Sequence, residues 1–305
     1  MANFLDLALE CNGMTMRFGK SQSGEKREFG ITAITGLESS ELEISTTENA
    51  LVDGSTVDGK RIKERIVHME ATLRDDKKNE ANRQRIIKFF NPKYTGKLTV
   101  NHSGTERNIG YELEGWTLVA RDNVFNQLSI VVDLKCPDPF LKNIDNFGRN
   151  MADITKQIAF PWRVVKRKAV VPEPYKGLAL AGQITGYRTL SKEVYLPNDG
   201  DVPCSVKIQF VAARGPVTNP KITLVGTGRF MRVKAAMEKK DVLLVDTDKR
   251  HQVIELNGVN VYQKIDRLST PFELAVGGNY LEYDADEDYS NLDVRLYYTP
   301  LYLGV

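Results

Sequence analysis

The sequence predicts a mainly β protein: an N-terminal β domain with one α-helix, followed by an all-β sandwich. Three observations carry this. Long stretches of the first half alternate apolar and polar residues at period two, a single stretch shows a helical face, and short alternating segments recur through the second half with turn signals between them.

In "RIVHMEATL" (65–73), Val67, Met69, Ala71 and Leu73 share one face, which predicts a half-buried strand. "DDKKNEANRQRIIKFFNPKYTG" follows. Asp75 or Asp76 can cap a helix there, Ile86, Ile87, Phe89 and Phe90 form its apolar face, and Asn91-Pro92 stops it. "GKLTVNHSGTERNIGYELEGWTLV" predicts a hairpin turning at His102-Ser103-Gly104, and "NQLSIVVDLK" a strand burying Leu128, Ile130, Val132 and Leu134. That strand runs into "CPDPF", where Pro137 and Pro139 fix their own φ and end it.

Periodicity is then lost until a second β pattern: Val206, Ile208 and Phe210; Ile222 and Leu224; Val242 to Val245; Val253 to Leu256; Phe272, Leu274 and Val276; Val294, Leu296 and Tyr298. Asn257-Gly258 predicts a type I′ hairpin turn, since both central positions need positive φ. The organisation expected is residues 1–140 as one domain, 141–183 as a linker or long loop, and 184–305 as the sandwich.

A chain of 305 residues is long enough for two cores. The 41% hydrophobic and 27% charged fractions exclude a disordered or fibrous protein. With 42 basic against 40 acidic residues, the net charge of +2 offers no global field for nucleic acid or membrane surfaces. The first residues lack a basic start and no long apolar run occurs, so a soluble chain made in the cytoplasm is expected, with no membrane partner. Cys11, Cys136 and Cys204 are odd in number and widely spaced, and are expected to be reduced.

Candidate chemistry is sparse. His68, His102 and His251 are the only histidines, and none lies in a catalytic motif. Asp284, Asp286, Glu287 and Asp288 supply oxygen ligands without the glycine-centred order of a calcium loop. Arg163, Lys166, Arg167 and Lys168 suit a solvated loop, and "VGTGRF" and "VGGN" suit turns. Among the aromatics, Trp116, Trp162, Tyr280, Tyr283, Tyr297 and Tyr298, strand alternation directs at least half to buried faces. Cys136 reads as a small buried residue and Asp138 as a turn former. No catalytic, cofactor-binding or metal-binding residues are expected, and no enzyme. A structural or binding role follows.

Several stretches, in order, resemble the distal tail protein family (Dit, the siphophage tail component family). A helix ending in "FFNP", a hairpin, and a strand running into "CPDPF" are similar to its N-terminal domain. In the second half "LPNDGDVPCSVKIQF", "GPVTNPKI" and "DVLLVDT" resemble its turns and strands. The closing segment, with Asn257, Gly258, Ser269, Phe272, Leu274, Gly277, Asn279 and Tyr283 in that order, resembles its end. The first fifty residues are less diagnostic, and 160–183 is longer and more basic than in relatives.

The resemblance implies a homo-hexameric ring at the distal end of a phage, prophage or tail-like bacteriocin tail. N-terminal belt domains would form the ring, with galectin-like sandwiches projecting outward. It implies as partners the tail tube protein, the tail-associated hub or fibre protein and, in some phages, receptor-binding proteins, with DNA only passing through. Two other readings stay open: a carbohydrate-binding sandwich for cell-wall adsorption, and a cell-wall hydrolase, which would need a carboxylate pair or metal set.

Overall fold

The computed structural model describes residues 4–48, 53–74, 79–120, 127–143, 147–150, 153–156, 186–189 and 192–305, and the fold is that of these residues. It is mainly β, as the sequence predicts.

The first half contains β1 (Leu5–Cys11), β2 (Met14–Gly19), β3 (Phe29–Thr35), β4 (Leu42–Glu48), β5 (Ser55–Ile62), β6 (Arg65–Leu73), α1 (Asn79–Phe89), β7 (Gly96–His102), β8 (Thr105–Ala120), β9 (Leu128–Cys136) and β10 (Leu141–Asn143). A sheet in the order β8-β7-β1-β2-β3-β6-β9 closes into a barrel because β8 also pairs with β9. The long β8 makes closure possible. Its first part pairs with β7, a register shift between Leu113 and Gly115 bends it, and its second part pairs with β9. The thinnest seam is between β2 and β3, where Phe18 and Phe29 form the one parallel pair among the described residues and their buried rings stack at 4.8 Å.

Alternation fills the barrel. β6 buries Val67, Met69, Ala71 and Leu73, and β9 buries Leu128, Ile130, Val132 and Leu134, as expected. Helix α1 adds Ile86, Phe89 and the following Phe90, which stacks on Trp116 at 5.5 Å between ring centres. Ile87, expected on that face, is exposed: residues 86, 89 and 90 lie at i, i+3 and i+4, while 87 is turned about 100° away. Asp75 and Asp76 lie outside the described residues. The β7–β8 turn has positive φ at Ser103 and Gly104.

The second half contains β11 (Phe147–Asn150), β12 (Asp153–Lys156), β13 (Gly186–Thr189), β14 (Glu193–Asn198), β15 (Val206–Ala212), β16 (Val217–Leu224), β17 (Arg229–Arg232), β18 (Ala236–Met237), β19 (Val242–Asp246), β20 (Ile254–Leu256), β21 (Val259–Asn260), β22 (Gly277–Glu287), β23 (Leu292–Tyr298) and β24 (Leu301–Tyr302). One sheet runs β11-β23-β15-β19-β20-β21 and another β14-β22-β16-β17, with β18 also on β16. Their inner faces share a core that includes Val206, Ile208, Phe210, Ile222, Leu243, Leu281, Tyr283, Val294 and Leu296, which makes this half a β-sandwich. Asn257-Gly258 has positive φ at both residues and joins β20 to β21, as predicted.

The expected strand at Phe272, Leu274 and Val276 is not a ladder strand. Leu274 makes only an isolated bridge to Cys204, and Val276 is exposed. The strand in this region is β22, whose acidic composition hid a Leu281/Tyr283 alternation. Three strands lie within the expected linker: β10 pairs with β8 of the barrel, β11 pairs with β23 of the sandwich, and β12 pairs with β13. Most of 141–183 lies outside the described residues.

Candidate assembly interface

Between β3 and β6 the chain leaves the barrel as a two-stranded arm, β4 paired antiparallel with β5. Leu42 is 57% exposed, Ile44 49% and Val57 50%, on an arm whose other residues are also largely solvent-facing. Polar pairs hold it: Arg61 donates to Glu43, Thr47 donates to Asp58, and the Lys63 N–H donates to the Glu41 carbonyl at 2.9 Å. A hairpin alone is marginal in water. Apolar residues on such an arm gain most when a second surface covers them.

The arm's root lies against the junction of barrel and sandwich. There β24 pairs with β10, with Leu141 opposite Tyr302 and Lys142 opposite Leu301. The Asp201 N–H donates to the Leu301 carbonyl at 2.8 Å, and the Leu303 N–H donates to Asp201 Oδ2 at 2.9 Å. Leu301 packs against the sandwich core, while Tyr302 and Val305 pack against the barrel core. Beside this strap a polar cleft of about 720 Å³ opens between the two bodies, lined by Asp138, Phe140, Lys207, Arg250, Glu273 and Tyr297 among others. Four ion pairs line it: Lys142 with Asp138 at 2.8 Å, Arg250 with Asp138 at 3.1 Å, Lys207 with Asp246 at 3.4 Å, and Lys249 with Glu273 at 2.8 Å.

The residues singled out by sequence do not converge. His68 Nδ1 lies 2.6 Å from Asp133 Oδ1, its cross-strand partner, and Asp133 with Glu70 raises the imidazole pKa despite desolvation. His102 ends β7 and His251 sits in an exposed turn. Asp284 pairs with Lys192 at 3.2 Å, Asp286 accepts from Asn219 at 2.8 Å and from Arg232, and Glu287 accepts from Thr218 at 3.2 Å. Asp288 takes a left-handed conformation at the end of β22. Among the described residues, no cluster of three or more His, Cys, Asp or Glu could hold a metal ion.

Cys136 and Cys204 are buried, and burial pushes each thiol up to about 12; Cys11 is raised for the same reason. Tyr283 and Tyr298 are in the sandwich core, whereas Tyr280 and Tyr297 reach solvent. Trp162, Arg163, Lys166, Arg167 and Lys168 lie outside the described residues.

Sequence reasoning missed the arm and Arg65. Leu42 and Ile44 alternate with Glu41 and Glu43, a signal too short to separate from a loop. Arg65 shares the phase of Val67 and Met69, so a charge standing in an apolar alternation was the available clue.

The described residues form a barrel with an exposed arm, strapped to a β-sandwich, and the candidate site residues among them do not converge on one site. Residues 199–302 match the family model described as "Siphovirus-type tail component, C-terminal domain". The fold matches the crystal structure of SPP1 Dit (gp 19.1), described as a paradigm of hub adsorption apparatus in Gram-positive infecting phages. The TM-score is 0.65 and the identity 14%, over 97% of this chain and 99% of that one. It also matches chains of the phage P2 baseplate in its activated conformation with Ca and with Sr, each at TM-score 0.50 and 9% identity over 100% of both chains. No curated protein matches. The resemblance to the siphophage distal tail family is borne out by the family model over the sandwich and by the fold over nearly the whole chain.

Proposed function

We propose that this chain is a structural subunit of a siphophage, prophage or tail-like bacteriocin tail. In this reading six copies form a ring at the distal end, between the tail tube and the tail-associated hub that leads to the receptor-binding apparatus. Residues 1–140 act as the ring-forming belt domain, 184–305 as the outward sandwich and 141–183 as the connection. The observation that carries it is the arm: Leu42, Ile44 and Val57 are exposed on a hairpin rooted in a closed barrel. Rings need a heterologous contact repeated from copy to copy, and a projecting hairpin laid on a neighbour's surface supplies one. DNA would pass through without tight phosphate contacts, in keeping with a net charge of +2. No catalytic role is proposed.

Electron microscopy and light scattering of the purified chain test this. Six-fold rings with a central hole are the expected result; particles that stay monomeric even when mixed with a tail tube protein overturn it. One observation favours the carbohydrate-binding reading as a second possibility. Tyr195 and Tyr280 are cross-strand partners with exposed rings 5.2 Å apart, and the Tyr195 ring lies across Gly278, where a Cβ would come within 2.7 Å of it. Such a platform can stack on a sugar. Glycan-array binding that disappears in Tyr195→Ala would establish it.

A further inference from the structure

Arg65 is only 1% exposed, and its hydrogen-bond acceptors are all backbone carbonyls. Nε donates to Pro139 at 2.9 Å, Nη1 donates to Gly36 at 2.6 Å and to Leu37 at 3.1 Å, and Nη2 donates to Leu303. One guanidinium therefore joins the arm's root, the proline loop after β9 and the strap at 301–304. A buried cation satisfied only by carbonyls tolerates the loss of none of them cheaply, because each lost acceptor leaves a desolvated N–H.

A second set of contacts makes the same connection. Gly304 lies against the arm's root so closely that a Cβ there would come within 2.5 Å of the Glu38 carbonyl oxygen. On the other side of the strap, a Cβ at Gly200 in the sandwich would come within 2.5 Å of the Leu301 carbonyl oxygen. The strap backbone is thus pressed between sandwich and arm root, and Arg107 holds it by donating to the Gly304 carbonyl and covering the Tyr302 ring at 3.6 Å.

We infer that Arg65 is a positioning residue that makes the direction of the arm depend on how the strap is seated on the sandwich. Asp201 touches the strap but is not among the contacts of the arm; through the strap and Arg65 it governs the arm's order. The consequence is that a partner displacing the strap on the sandwich loosens the arm. Its bearing on assembly rests on the ring reading, whereas the coupling itself belongs to the single chain.

The test places spin labels on cysteines introduced at Thr46 on the arm and Lys97 on the barrel, with labelled chain diluted into unlabelled. The native cysteines are buried and are expected to take no label. The arm-to-barrel distance distribution should at least double in width in Arg65→Met and in Asp201→Ala, and the double variant should be no broader than the broader single one. Arg65→Lys, which keeps the charge but cannot span the carbonyls, should fall between. A control pair at Glu70 and Lys97 should stay narrow throughout. If Arg65→Met does not fold, Gly304→Ala, which pushes the strap away from Glu38, replaces it. An unchanged width in Asp201→Ala, or broadening that adds in the double variant, overturns the coupling. Because the measurement needs no ring, failure to assemble leaves it intact.

Discussion

Arg250 of the sandwich places Nη1 3.1 Å from Oδ1 of Asp138, the residue between the two prolines at the end of β9. Burial raises the Asp138 pKa, but Lys142 and Arg250 outweigh it and hold the carboxyl below its usual range. The folded pKa is below the unfolded value of about 3.9, so this stabilisation is complete above that value and is lost as pH falls through the folded pKa. Asp138→Asn should cost about 1 kcal/mol at pH 7, the scale of a partly exposed ion pair. The gap from the parent in thermal midpoint should narrow as pH drops below about 4. A gap that stays constant with pH would show that the charge is not responsible.

His68 carries the opposite sign. Its pKa is raised, chiefly by Asp133, so the bonus from the charged pair is present at low pH and is lost as pH rises through the folded pKa. Titration followed by NMR should give a midpoint above about 6.5, and Asp133→Asn should bring it back toward that value. A midpoint that does not move on removing Asp133 would contradict the pairing.

Tyr111 is buried in the barrel with its hydroxyl unpartnered among the described residues, and its ring fills the place where a Cβ at Gly96 would lie. Removing a buried hydroxyl that makes no hydrogen bond relieves a desolvation cost of about 1 kcal/mol. Tyr111→Phe should therefore match or exceed the parent in urea denaturation. Gly96→Ala should destabilise, because the added methyl overlaps the ring. A Tyr111→Phe variant weaker than the parent would reveal a hydrogen bond to that hydroxyl.

Cys11, Cys136 and Cys204 are all buried with raised thiol pKa values. A thiol reagent at pH 8 should find essentially none in the folded chain and all three after denaturation. Rapid modification of one native thiol would show local opening of its strand.

Ile44→Lys and Val57→Lys on the arm should change the stability of the isolated chain by less than about 0.5 kcal/mol, since both side chains are half exposed. If the arm forms the ring contact, the same substitutions should abolish rings in light scattering. Rings that persist in both variants would move the contact elsewhere.

Strand content, helix placement and two turns were legible in the sequence because period-two alternation, an i, i+3, i+4 face and positive-φ dipeptides are local signals. Val67 to Leu73, Leu128 to Leu134, Phe89 and Asn257-Gly258 all take the places their neighbours in sequence dictate. "CPDPF" was legible as a strand end for the same reason: Pro137 and Pro139 fix their own φ, and β9 stops at Cys136. Closure of the barrel through the bent β8, the return of β24 to β10, and the burial of Arg65 among carbonyls from Gly36, Leu37, Pro139 and Leu303 were decided by tertiary structure alone. Each depends on segments up to 238 positions apart meeting in one register, and a period read along a strand says which face is apolar but not which strand lies beside it.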